Sequence, residues 1–198
     1  MIDLVAATHN KGKLAEFAYM LGKKYRIHPV SDFDGGVEPE ENGGSFEANA
    51  VIKAKAAFNA SGLPSFGDDS GLCVDALGGA PGVYSSRYAE NAKARNAKLL
   101  AALSETPESD RTARFGCCIA FFDGKREFVV RGECKGRILF KETGENGFGY
   151  DPVFFSDDLG KPFGEATPAE KDAVSHRGRA VALLGARLAE IYGKDEEK

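Results

Sequence analysis

Two helix starts carry cations where helices disfavour them, and two further segments carry adjacent carboxylates. In Thr8-His9-Asn10-Lys11-Gly12-Lys13 a short apolar run, Ile2 to Ala7, gives way to a helical pattern that opens on two lysines. A helix N-terminus carries roughly half a positive charge and unsatisfied amides, so cations there are unfavourable unless an anion is present. Two readings stand, a phosphate-binding turn or lysines facing solvent beside an Asn cap. The spacing is not GxxxxGK[ST] and does not indicate the nucleoside-triphosphatase P-loop. Ser175-His176-Arg177 repeats the anomaly at the last helix. The planar fork of Arg177 suits a carbonyl or phosphate and His176 suits a base, whereas the plain alternative pairs both with surface acids.

The acids form the third group, Glu40-Glu41 in a Gly-rich loop and Asp68-Asp69 between Gly67 and Gly71. Carboxylates on such segments hold Mg²⁺ through one or two ligands, with waters and substrate phosphates completing the octahedron; the alternative is solvated loop. The three histidines show no zinc spacing. Asn49 and Lys53, four apart, share one helix face, which puts Lys53 within reach of a phosphate and leaves Lys55 to solvent. Gly147-Phe148-Gly149-Tyr150-Asp151-Pro152 combines tight backbone, aromatic plates and an acid, the makings of either a base-stacking loop or a core plug.

The elements that must position these residues follow from periodicity. Ile2 to Ala7 reads as a strand, and Leu14, Phe17, Ala18 and Leu21 form the stripe of a following helix. A strand at Tyr25 to Val30 precedes the loop Asp32 to Gly44, and Ser45 caps a helix that Gly62 ends. Pro64 to Val74 reads as strand interrupted at Gly67 to Gly71; Asn91 to Leu103 reads as helix. Arg114 to Phe122, the turn Asp123-Gly124 and Glu127 to Val130 make a hairpin. A strand at Pro152 to Phe155 leads to a capping box, Thr167-Pro168-Ala169-Glu170, and to a final helix striped by Val181, Leu184, Leu188 and Ile191. Lys194 to Lys198 reads as a frayed tail. Crossover units beside a hairpin, without internal repeats, predict an α/β fold with a mixed sheet, and 198 residues predict one domain over 1–198.

Composition narrows the function. With 26 Lys plus Arg against 30 Asp plus Glu and a net charge of -4, a basic duplex-binding surface is disfavoured and no nucleic-acid partner is expected. No apolar run reaches bilayer length, and Met1 to Ala7 lacks the basic start of a signal peptide, so the expectation is a cytoplasmic protein with no membrane contact. Cys73, Cys117, Cys118 and Cys134 lack metal or redox spacing and read as reduced thiols, with Cys117 and Cys118 on opposite faces of a strand.

In this order the pieces resemble the XTP/dITP (inosine triphosphate) pyrophosphatase family over nearly the whole chain. The motifs are Thr8 to Lys13, Glu40-Glu41-Asn42-Gly43, Ser45-Phe46-Glu47-Ala48-Asn49-Ala50 with Lys53-Ala54, and Asp68-Asp69-Ser70-Gly71-Leu72. They continue in Leu77 to Tyr88, Gly147 to Phe154 and Ala169 to Arg177. The resemblance implies Mg²⁺-dependent hydrolysis between the α- and β-phosphates of ITP, dITP and XTP, giving the monophosphate and pyrophosphate. It also implies an elongated mixed sheet flanked by helices, two lobes with a central active-site cleft, and a homodimer. By position it assigns Thr8, Asn10, Lys13 and Lys53 to phosphates, places His9, Lys11 and Gly12 in the same substrate-binding turn, and gives Glu40 and Asp69 to metal. The resemblance further implies that Asp69 activates water, that Ser70 lies near substrate, and that Phe148, Gly149, Tyr150, Asp151, Lys171, His176 and Arg177 form the base pocket. Two alternatives are a pyrophosphatase acting mainly on other modified nucleotides and a nucleotide sensor without chemistry.

Overall fold

The computed structural model describes residues 1–33 and 39–193; the expected tail at 194–198 and positions 34–38 of the acid-rich loop lie outside them. In chain order the elements are β1 (Ile2–Ala6), α1 (Lys11–Leu21), β2 (Tyr25–Pro29), α2 (Phe46–Ser61), β3 (Ser65–Val74), α3 (Ala92–Ala102), β4 (Thr112–Phe122), β5 (Glu127–Ile138), β6 (Phe154–Ser156), β7 (Lys161–Pro162), α4 (Pro168–Val174) and α5 (His176–Tyr192). The strands form one open sheet in the order β2-β1-β3-β4-β5-β6-β7. It is mixed: β1 pairs in parallel with β2 and β3, whereas β6 is antiparallel to β5 and β7. The α/β class with helices flanking a mixed sheet is therefore the observed fold. Among the described residues no helix is long and apolar enough to cross a membrane.

The chain divides into two compact units. The first takes Met1–Asp69, Cys117–Arg131 and the residues from Ala180 onward; the second takes Ser70–Gly116 and Gly132–Arg179. In the first, strand alternation sends two apolar sets to opposite faces. Leu4, Ala6, Phe66, Cys117, Ile119 and Phe121 pack with Phe17 and Leu21 of α1 and with Val181, Leu184 and Leu188 of α5. Cys118 and Ala120 pack instead with Ala50 and Ala54 of α2. Each fully buried aliphatic or aromatic side chain here contributes about 1.5–3 kcal/mol. Cys117 and Cys118 thus part to opposite faces, and all four cysteines are free thiols.

The second unit centres on Phe115, whose ring lies 4.7 Å from that of Phe154 and 6.1 Å from that of Phe163. Leu99 and Leu103 of α3 complete this core with Leu72, Val74 and Ile138. Arg111 is only 1% exposed. Its guanidinium donates to the carbonyls of Leu103, Thr106, Ile138 and Leu139, so its charge is dispersed over main-chain oxygens that join the end of α3 to the end of β5.

Several expected boundaries shift. β2 stops at Pro29, and Val30–Asp32 forms a 3-10 turn. Pro152 lies in the 3-10 turn Asp151–Val153, so β6 starts only at Phe154. In α1, Ala18 is exposed and the buried stripe reduces to Phe17 and Leu21 with Leu14 at its margin. The caps fall where expected: Ser45 accepts from the Ala48 amide, Gly62 closes α2 in the left-handed region, and the Thr167–Glu170 capping box is complete.

The main correction concerns Gly67 to Gly71. These residues have turn composition, yet β3 runs through them without a break. Gly67 is there because α2 lies against the strand. A Cβ at this position would sit 2.6 Å from the Ala50 carbonyl oxygen, 2.6 Å from Lys53 Cβ and 2.7 Å from the Ala54 amide nitrogen. Two of those three atoms are backbone, which cannot step aside as a side chain would. Gly67→Ala is therefore expected to push α2 off the sheet and lower unfolding stability by about 1–3 kcal/mol or more in a urea titration.

Candidate active site

In the first unit, Asp68 and Asp69 follow Gly67 on β3, and alternation turns them to opposite faces. Asp68 shares its side with Phe66, which packs against α1, and there Lys13 Nζ meets Asp68 Oδ2 at 2.8 Å. Asp69 shares its side with Gly67, which packs against α2. Asn49 Nδ2 donates to Asp69 Oδ2 at 2.9 Å and Lys53 Nζ lies 3.3 Å from Oδ1. Lys53 also donates to the Asp68 carbonyl at 3.1 Å and pairs with the Glu41 carboxylate. Of the two loop acids it is Glu41 that meets Lys53; Glu40 is exposed on the same segment.

Acidic charge outweighs basic charge around Asp69. Burial pushes its carboxyl above the ordinary value, and Glu41 adds to that, against the opposing pull of Lys53 and Asn49. For Lys53, burial alone would lower the ammonium's pKa, but Asp69, Glu41 and Asp68 together hold it above its usual value. The two directions differ in origin: burial acts first on Asp69, whereas the surrounding carboxylates overcome burial at Lys53.

The turn before α1 is built by its own side chains. Asn10 Oδ1 accepts from the amides of Gly12 and Lys13 at 2.9 and 3.2 Å, and Thr8 Oγ1, in a nearly buried residue, accepts from the Asn10 amide at 3.2 Å. Two of the amides expected to face an anion are thus capped, and Lys13 is paired with Asp68 instead of facing solvent. His9, Asn10, Lys11 and Gly12 are exposed. Lys55 is not simply solvated, since it pairs with Glu127 at 2.7 Å.

In the second unit, α4 and α5 meet at Ser175, whose hydroxyl accepts from the Gly178 amide at 3.0 Å. His176 is 7% exposed and stacks on Phe115, with centroids 4.8 Å apart and planes 12° apart. One face of the imidazole is therefore already covered. Arg177, 5% exposed, has Nη2 3.4 Å from Ser70 Oγ and its guanidinium carbon 5.7 Å from the Phe148 ring centroid. Lys171 Nζ lies 4.3 Å from the same centroid and donates to Asp151 Oδ2 at 2.6 Å. The ring of Phe148 is thus an exposed plate with two cations beside it, an arrangement suited to an electron-rich planar ligand.

Two residues expected to face a base are committed to the loop. Asp151 is 2% exposed and accepts from the Phe148 amide at 2.6 Å as well as from Lys171. Tyr150 donates its buried hydroxyl to the Ser85 carbonyl at 2.9 Å, and burial pushes its pKa up to about 12. Gly149, between Phe148 and Tyr150 in the chain, is partly buried. The stacking partner of His176, Phe115, carries no sequence signal beyond strand alternation. Asn49 had one, its place four residues before Lys53 on the same helix face, and the structure finds its amide wholly buried.

Two expected outcomes test this arrangement. Lys13→Met takes an ammonium from a carboxylate that is 1% exposed, while Lys55→Met breaks a half-exposed pair. The first is expected to cost roughly 1–3 kcal/mol in a denaturant titration, scaled down from a fully buried pair because Lys13 is partly exposed, and the second roughly 0–1 kcal/mol. Glu170, which braces α4, has its pKa lowered to about 2 by hydrogen bonds from Lys161 and from Thr167. A depressed carboxyl stabilises above its unfolded value near 4.5, and the contribution fades as pH falls to about 2. The melting-temperature gap between the wild-type chain and Glu170→Gln should close across that window.

The Ham1 family model matches residues 4–187. A dITP/XTP pyrophosphatase of Geobacter sulfurreducens is 50% identical over 189 residues, covering 93% of this chain and 95% of that one. One from Pseudomonas syringae pv. tomato is 48% identical over 193 residues, covering 95% and 98%. Among solved structures, a HAM1 protein from Coxiella burnetii superposes with a TM-score of 0.89 at 40% identity, covering 96% of this chain and all of that one. A Mycobacterium abscessus structure described as nucleoside-triphosphatase / dITP/XTP pyrophosphatase gives 0.78 at 42% identity, covering 92% and 98%.

Proposed function

The chain belongs to the Ham1 family, and from that premise we propose that it hydrolyses the nonstandard purine nucleotides ITP, dITP and XTP to the monophosphate and pyrophosphate, clearing them from the nucleotide pool. The observation that carries this reading is the Asp69 carboxylate, buried and held between Asn49 and Lys53.

The reaction adds water to the α-phosphorus and breaks its bond to the bridging oxygen that leaves with pyrophosphate. Water needs a base, and Asp69, with its pKa raised by burial, takes the proton more readily than an exposed aspartate. Charge on the phosphate oxygens needs cations already in place, and Lys13 and Lys53 supply two of them from different helices. Thr8 and Asn10 shape the turn that carries Lys13.

The donor set suits Mg²⁺. Among the described residues no three His, Cys, Asp or Glu side chains form a ready metal cage. Asp69 and a glutamate of the Glu40–Glu41 pair offer the one or two carboxylates that this ion uses beside substrate oxygens and water. That Lys53 is shared by Asp69 and Glu41 supports the reading, since a cation already sits where two carboxylates converge. When bound, the ion would neutralise phosphate charge and make the attacking water more acidic.

Base choice rests on the second unit. Phe148 offers a stacking plate, and Lys171 and Arg177 offer donors beside it. Hypoxanthine and xanthine present a 6-oxo acceptor to such donors. Adenine presents a 6-amino donor there and would leave a buried guanidinium unmatched, whereas guanine shares the 6-oxo group, so slow turnover of GTP has to come from its 2-amino group.

The test is an initial-rate panel with ITP, dITP, XTP, ATP, GTP, CTP and UTP, with and without Mg²⁺, that distinguishes pyrophosphate from orthophosphate. Mg²⁺-dependent pyrophosphate release from the first three, with ATP and GTP slow, is expected; orthophosphate release or indifference to the base would overturn the reading. Asp69→Asn is expected to abolish turnover while nucleotide still binds in calorimetry, and an active variant would remove Asp69 from its role.

A further inference from the structure

We propose that Asn49 is a positioning residue that fixes the orientation of the Asp69 carboxylate, and that the segment carrying Glu41 and Gly43 sets this orientation through the Asn49 amide. The inference rests on the reading of Asp69 as the group that activates water.

Asn49 lies in the first turn of α2 and is 0% exposed. A buried carboxamide costs stability unless both of its ends are bonded, and here both are. Its Oδ1 accepts from the Gly43 amide at 2.9 Å and its Nδ2 donates to Asp69 Oδ2 at 2.9 Å. The two partners leave one orientation. Turned over, the amide would set an acceptor against a carboxylate and a donor against an N–H. Gly43 makes the first bond possible by running close to the helix: a Cβ there would lie 2.5 Å from Ala48 Cβ and 2.9 Å from Asn49 Oδ1.

The loop therefore reaches Asp69 along two routes of different character. Glu41 reaches it through the Lys53 ammonium, which contacts Oδ1; Gly43 reaches it through the neutral Asn49 amide, which contacts Oδ2. A triphosphate competes directly for the lysine, because both are full charges and Lys53 can exchange one anion for another. It has far less hold on a buried neutral amide. When Lys53 turns to phosphate, the Asn49 bond remains to keep Oδ2 in place and Oδ1 aimed.

This assigns Asn49 an effect on kcat and not on KM. Asn49→Asp keeps the shape and can accept from Gly43, but when ionised it cannot donate to Asp69; Asn49→Ser removes the reach altogether. Both are expected to lower kcat for dITP by about 100-fold, the scale of a misplaced catalytic group, with KM held within about threefold. Gly43→Ala, which displaces the same amide, should also lower kcat. Its loss should not multiply with that of Asn49→Ser in the double variant, because both act through one bond.

A kcat within about threefold of wild type in either Asn49 variant, a loss confined to KM, or multiplying deficits would each overturn the proposal. So would failure of both Asn49 variants to fold, which would mark the residue as structural. A wild-type chain inactive on dITP removes the reading of Asp69 itself, whereas an active wild type with unaffected variants removes only this inference.

Discussion

Two adjacent carboxylates buried in the middle of a sheet are the constraint around which the first unit is organised. Asp68 and Asp69 are 3% and 7% exposed on β3, and leaving either without bonded donors would cost several kcal/mol. Because successive strand residues face opposite ways, the two carboxylates are bonded by different lysines. The fold meets the requirement with one helix on each face: α1 brings Lys13 to Asp68 and α2 brings Lys53 and Asn49 to Asp69. The depth at which α2 settles is in turn set by Gly67, the last small residue before the pair on the Asp69 side.

The second unit solves a different problem, that of holding a flat exposed ring beside two cations without letting the assembly collapse. Lys171 is tied to Asp151, and Asp151 is tied to the Phe148 amide, so one carboxylate oxygen holds both the ammonium and the backbone that carries the aromatic plate. His176 is braced by Phe115, the ring that also anchors the core of this unit. Tyr150 fastens the same loop to Ser85 from below. Residues flanking Phe148 thus serve to fix the loop, and its ring is left exposed.

What the sequence made legible was largely local. The caps at Ser45 and Thr167, the left-handed glycine at Gly62 and the stripe of α5 depend on residues within one or two turns, and all are where pattern reasoning puts them. The break predicted in β3 failed because turn composition is a local signal, whereas Gly67 answers to a helix a dozen residues earlier in the chain. The same limit hid the roles of Asp151 and Tyr150, whose inward turn depends on Lys171 and Ser85. The lysines at the start of α1 were visible as an anomaly, but the pairing of Lys13 with Asp68 spans 55 residues and could not be read from spacing.

The prior engagement of both lysines changes what anion binding means thermodynamically. A phosphate that reaches Lys13 or Lys53 does not meet a bare cation; it displaces a carboxylate, and the free energy released is the difference between two ion pairs. Such an exchange is shallower than simple capture. It blunts the hold on any polyanion, a departing one included, so that two lysines already answered by carboxylates need not become a trap for an anion that has to leave.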